Sequence, residues 1–237
     1  MYTALGKVYD LFYPDDTQRR ADAYAAVLPS GEGVDIGCGT GALTLALHAR
    51  GYRVYGVDPS PDMLNAAQAR ATNAGVNVRF VQASAQDVPA AHPLDFALAA
   101  NDVFNYVPRL DKALRSVYKA LKTGGVFAFD ISSAYKLTEV LAGNTFTQTE
   151  NDVTYIWQNF RRGKRLIIDF TVFSPQGETY IKTCETQVQY IRSREEVTDA
   201  LAAAGFINIR AYAFGTKRAP AADTQRILFT AQKERRT

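Results

Sequence analysis

The chain has 237 residues, 47% hydrophobic and 22% charged, with a formal net charge of +3, which suits one sizeable α/β domain or one domain with an insertion. That charge is too small to point to nucleic acid, and two histidines exclude a histidine-rich metal site. No apolar run approaches the ~20 residues that span a bilayer, the first residues lack a signal-peptide pattern, and Cys38 and Cys184 offer neither metal spacing nor a disulfide framework; a cytoplasmic protein without a metal is expected.

Tyr2 to Pro29 reads as a leading helical segment, aromatic at Tyr9, Phe12 and Tyr13, with a second helical piece from Ala21 to Leu28. Val34-Asp35-Ile36 reads as a buried strand ending in Gly37-Cys38-Gly39-Thr40-Gly41-Ala42, a glycine-rich turn that opens a helix carrying Leu43, Ala46 and Leu47. Glycines at alternate positions let the backbone approach a ligand, and free amides at the helix start suit a polar or anionic group. Val54 to Asp58 is a second strand, and Asp58 lies near the spacing of a carboxylate that accepts from ribose hydroxyls. By itself the turn leaves two cofactors open, because Gly37-x-Gly39-x-x-Ala42 also satisfies the dinucleotide fingerprint. Asp35 tilts the choice. An acid inside the strand end conflicts with holding a pyrophosphate and suits a ligand that carries an ammonium and a sulfonium.

Beyond Asp58, Ser60 reads as an N-cap with Pro61 at the first helical position, and Gly75 closes that helix. Val78 to Val81 and Leu94 to Leu98 are strands three and four. Asn101 and Asp102 then either cap the next helix or face the ligand crevice beyond the strand ends; both roles can coexist. An amphipathic helix from Asp111 to Leu121 precedes strand five, which reaches Asp130, and Ser132 or Ser133 caps a helix to about Leu141. From Phe146 to Tyr190 the pattern turns to β-branched and aromatic strands joined at Arg162-Gly163-Lys164 and Pro175-Gln176-Gly177, an inserted antiparallel sheet. Ser193-x-x-Glu196 is a capping box, and Asn208 to Phe214 and Arg226 to Gln232 supply the last two strands.

Asp35-x-Gly37-x-Gly39-x-Gly41, Asp58-Pro59-Ser60-x-x-Met63-Leu64, Leu94 to Leu98, Leu121-Lys122-x-Gly124-Gly125 through Asp130, and Ala203-Ala204-Gly205-Phe206 occur in the order that resembles class I S-adenosylmethionine-dependent methyltransferases. The closer likeness is to a small bacterial branch with Tyr9-Asp10, Asn105-Tyr106 and Phe129-Asp130-Ile131-x-Ser133-x-Tyr135-Lys136, whose substrates are largely unassigned. The resemblance implies a doubly wound, seven-stranded, mostly parallel Rossmann-like sheet with an antiparallel last strand, built from residues 1–145 and 191–237, with 146–190 as an inserted β cover or dimer interface.

It also implies a cofactor set of Asp35, Gly37, Cys38, Gly39, Thr40, Gly41, Asp58, Pro59, Met63, Ser84, Ala85, Gln86 and Asn101, with S-adenosyl-L-methionine as cofactor. Asp58 is expected on the ribose, with Met63 and Ala85 near the adenine. The family often places an acid where Ser84 stands, so a neutral hydroxyl replaces a charge there. Candidate substrate residues are Tyr2, Tyr9, Asp102, Asn105, Tyr106, Tyr135 and Trp157, of which any aromatic is alternatively core. No catalytic residue is legible. No Asn-Pro-Pro-Tyr follows strand four, and the cysteines sit in the loop and the insertion rather than at an attacking position, so a small-molecule acceptor is expected for a monomer or homodimer. A nicotinamide-dependent oxidoreductase and a non-catalytic interaction protein are the rival readings.

Overall fold

The computed structural model describes residues 16–234. Tyr2 and Tyr9 lie outside them. The main sheet runs β10-β11-β5-β4-β1-β2-β3, from β1 (Glu32–Ile36), β2 (Arg53–Asp58), β3 (Phe80–Gln82), β4 (Leu94–Ala99), β5 (Leu121–Ser132), β10 (Phe206–Ala213) and β11 (Arg226–Lys233). β1 to β5 pair in parallel, whereas β11 is antiparallel to both β5 and β10.

Alternation along each strand assigns side chains to two cores. Phe96 and Leu98 join Tyr24, Leu28 and Leu47 beneath α1 (Thr17–Ala25) and α2 (Ala42–His48). Ala97, Ala99, Phe127 and Phe129 face the other way, onto α5 (Leu110–Ala120) and α6 (Arg194–Ala203), where Leu114, Val117 and Leu201 are fully buried. Both faces of the parallel strands are therefore covered, as parallel pairing requires. α3 (Pro61–Asn73) begins as expected, with Ser60 Oγ accepting from the Met63 amide, and α6 carries the full Ser193–Glu196 capping box. The strand order reverses between β1 and β4, which opens a ligand crevice at their carboxyl ends.

A second sheet, β6 (Thr145–Glu150), β7 (Val153–Arg162), β8 (Arg165–Gln176) and β9 (Thr179–Tyr190), is a meander of three antiparallel pairs. Its strands are longer than the sequence pattern indicates, because two-residue turns at 151–152, 163–164 and 177–178 let pairing continue to the tips. Leu166, Ile168, Phe170 and Val172 of β8 bury one face against Leu137 and Ile191. Leu137 belongs to a π-helical turn, Lys136–Leu141, whose first turn is bonded as expected by Ser133 Oγ accepting from the Lys136 amide.

Candidate functional site

The glycine turn is held against the end of β2. The amides of Gly37 and Cys38 both donate to Val57 O, and the Gly39 amide donates to Asp58 Oδ2 at 3.0 Å. Two of the turn's glycines serve opposite ends. At Gly37 (φ 69°) an added Cβ would lie 2.4 Å from Val103 Cγ2, so this position is closed by packing. At Gly39 (φ 53°) an added Cβ would meet nothing within 4 Å, so the backbone here fronts open space beside a carboxylate. Thr40 accepts from Arg70 Nη1 at 3.0 Å, and Gly41 sits left-handed at the start of α2. Cys38 packs over Gly56, and burial pushes its thiol far above the ordinary range, which removes it as a nucleophile.

Asp58 is 6% exposed and its second oxygen, Oδ1, accepts from the Ser60 amide at 2.9 Å. Burial raises its pKa, opposed by those two backbone donors. Each oxygen keeps a lone pair beyond its amide contact, enough for a diol. Asp35 behaves differently. It is 1% exposed, receives the Thr44 hydroxyl at 2.7 Å, and burial lifts its pKa to about 7. Asp35 is thus a buried carboxyl that ionises only near neutrality.

Around the crevice, Met63 is 1% exposed and Ala85 7%, so both are packing surfaces, while Pro59 is exposed and accepts from Gln82 through its carbonyl. Ser84 Oγ accepts from the Gln86 amide at 3.3 Å, so its hydroxyl shapes the turn. No group of three or more His, Cys, Asp and Glu among the described residues is disposed to hold a metal.

Beyond β4 the structure shows which bonds Asn101, Asp102 and Asn105 make. Asn101 and Asp102 do not cap α4 (Val103–Tyr106) through their side chains; both adopt left-handed backbone, φ 60° and 53°, and turn their amides onto the Asp130 carboxylate at 2.9 and 3.2 Å. Asn105 is fully buried, donates to Ser132 O and Tyr190 O, and accepts from the Ser132 amide, so it clamps β5 to β9 rather than meeting a substrate. Asp130 also receives the Tyr24 hydroxyl at 2.7 Å and the Arg226 guanidinium. Burial alone would raise its pKa, but Arg226 and the donors hold it below the usual carboxylate value. Asp102 accepts from Ser132 Oγ at 3.0 Å and Gln189 Nε2 at 2.7 Å, with Arg226 3.6 Å from its other oxygen. Tyr106 is half-buried and Tyr135 is 37% exposed at the start of the π-helical turn. Trp157 stacks between Phe146 and Tyr155, both centroids 4.9 Å away, inside the insertion's own aromatic row.

Tyr24, Asp130, Arg226 and Gln189 escaped the residue-by-residue reading. Asp130 alone carried a signal, an acid within an apolar strand, the same signal that drew attention to Asp35.

A family profile described as "Methyltransferase domain" matches residues 34–125. The putative methyltransferase YqeM of Bacillus subtilis (strain 168) is 30% identical over 217 residues, covering 89% of this chain and 87% of the relative. Among solved structures, an S-adenosylmethionine-dependent methyltransferase from Clostridium acetobutylicum ATCC 824 superposes with a TM-score of 0.88 at 25% identity, over 98% of this chain and 99% of that one. CalS10 of Micromonospora echinaspora, an amino pentose methyltransferase solved with S-adenosylmethionine bound, shares the fold at a TM-score of 0.75 and 19% identity, over 98% of each chain.

Proposed function

As the chain belongs to the class I S-adenosylmethionine-dependent methyltransferases, we propose that its crevice between the glycine turn and the β4–β5 ends methylates a small-molecule acceptor. The observation that carries the assignment of the cofactor's place is the open position at Gly39 beside the Asp58 carboxylate. Asp58 holds the ribose diol through its remaining lone pairs. Gly37 to Gly41 admit the methionine portion, Asp35 sets the charge beneath it, and Met63, Ala85 and the Ser84–Gln86 turn wall the adenine. S-adenosylmethionine supplies a methyl group already activated by its sulfonium, so the chain's task is to align a nucleophile and exclude water.

Asn101, Asp102 and Tyr106 stand at the acceptor end, the first two held through their amides by Asp130. The insertion roofs that end and selects the acceptor; no helix among the described residues is long and apolar enough to cross a membrane.

Titration calorimetry tests the reading with S-adenosylhomocysteine and a nicotinamide dinucleotide, on the wild type and on Gly39→Val. Binding of the thioether to the wild type alone is expected. Binding of the dinucleotide instead overturns this reading of the crevice. Thioether binding without turnover of any acceptor supports the non-catalytic alternative.

A further inference from the structure

The inward face of the second sheet carries three buried amide oxygens with no hydrogen-bond partner: Asn159 Oδ1, Gln187 Oε1 and Gln189 Oε1. The residues are 1%, 6% and 4% exposed. Their amide orientations follow from their neighbours. Gln189 Nε2 meets the Asp102 carboxylate at 2.7 Å, Gln187 Nε2 meets the Glu185 carboxylate at 2.8 Å, and Asn159 Nδ2 meets Asn144 O at 3.0 Å. Each of those partners accepts, so each nitrogen must face it, and turning any amide over would oppose oxygen to oxygen. A buried acceptor without a donor destabilises the fold, because it has given up its water without a replacement. Among the described residues one other buried side-chain atom, Arg20 Nη1, lacks a partner, so three of the four such atoms gather on this one face.

The pairing register gathers them. Ile168 lies opposite both Asn159 and Gln187, and Leu166 lies opposite Gln189, so the three share the face buried by β8. Gln187 and Gln189 are two residues apart on the edge strand, about 6.8 Å at 3.4 Å per residue. Gln189 reaches Asp102, directly beyond β4, where the acceptor must stand if the cofactor occupies the glycine turn. Arg226 approaches Asp102 on its Oδ1 side, and Gln189 occupies the Oδ2 side.

We propose that this strip, Gln187 and Gln189 with Asp102 at its inner end and Asn159 beside it, is the acceptor subsite and takes an amine-bearing small molecule. The inference rests on the functional reading above. An amine suits it because a neutral primary amine presents two diverging N–H donors and keeps its lone pair for the methyl carbon, whereas a hydroxyl presents one donor and a carboxylate none. In the transfer, the neutral nitrogen's lone pair forms the new N–C bond as the C–S bond breaks. Sulfur leaves with that electron pair as a neutral thioether, and the methylated ammonium releases a proton to solvent.

The test uses wild-type protein saturated with S-adenosylhomocysteine, its occupancy first verified by calorimetry. A panel of primary amines is matched, skeleton for skeleton, with alcohols and carboxylates, and each member's apparent Kd is read from the thermal shift. Amines are expected to raise the melting temperature, and their matched partners are not. Gln187→Met and Gln189→Met, each retaining S-adenosylhomocysteine affinity, should weaken the best amine about tenfold per lost hydrogen bond. Gln187→Met should also keep or raise the ligand-free melting temperature, because it removes an unpaired oxygen. An equal response to alcohols or carboxylates, no response from any amine, or unchanged amine affinity in both variants overturns the inference alone. Failure of the wild type to bind S-adenosylhomocysteine overturns the functional reading as well.

Discussion

The hydroxyl of Tyr24 lies 2.7 Å from Asp130 Oδ1 and 2.9 Å from Ala99 O, so helix α1 is tied to the ends of two adjacent strands at once. Asp130 is fully buried and answers to Arg226 on its other oxygen. Together these contacts hold the carboxylate on which the Asn101 and Asp102 amides converge. Tyr24→Phe should therefore cost about 1–3 kcal/mol, the value of a buried hydrogen bond to a charged group. That is ~2–4 °C per kcal/mol for a chain of this size, measurable by scanning calorimetry. An unchanged melting temperature would show that Arg226 and the amides suffice.

Asp58 has two duties. Its oxygens hold the Gly39 and Ser60 amides, which makes it a bracket for the turn, and the proposed function gives it the ribose diol as well. Asp58→Ala is expected to abolish measurable S-adenosylhomocysteine binding and also to lower the ligand-free melting temperature. Each freed amide accounts for on the order of 1 kcal/mol, reduced by relief of the carboxylate's own burial. Calorimetry with and without ligand separates the duties; an intact apo transition in the variant would leave only the ribose role.

Asp35 makes stability depend on pH. Its folded pKa of about 7 lies above the ordinary 3.8, so the folded protein holds a proton that the unfolded chain has lost in the window between. Stability from this group is greatest at low pH and falls as pH rises through that window, by at most roughly 4 kcal/mol at 1.36 kcal/mol per unit. Asp35→Asn keeps an acceptor for Thr44 without the charge. Its ligand-free melting temperature should match the wild type near pH 4 and exceed it at pH 8. A difference that does not vary with pH would place the ionisation elsewhere.

Asn105 joins the two sheets. Its amide spans Ser132 and Tyr190 while Arg192 donates to Phe104 O and Val107 O beside it. Asn105→Leu leaves three buried backbone groups unpaired and should cost about 2–4 kcal/mol. Hydrogen exchange should speed first in β9 near Tyr190, before the parallel strands respond. Uniform acceleration across the main sheet would instead show global destabilisation.

The turn from Ile36 into α2, the caps at Ser60 and Ser193, and the hairpins of the second sheet are legible residue by residue because each is decided within a few positions of chain. Glycine needs no neighbour to adopt a positive φ, and a cap needs only the amides two or three residues on. The order of the motifs likewise carries the family and the cofactor. What the linear pattern does not contain is which polar side chains spend their bonds on the fold. Asp130 draws its partners from 106 residues upstream and 96 downstream, and Asn105 reaches across 85 to Tyr190. Asn105 therefore reads as a substrate candidate in the chain and is a clamp in the molecule, while Gln187 and Gln189 read as ordinary strand residues and become buried acceptors. Only tertiary packing decides this, because a hydrogen bond is short and specific whereas the burial that makes its absence costly depends on every element folded around it.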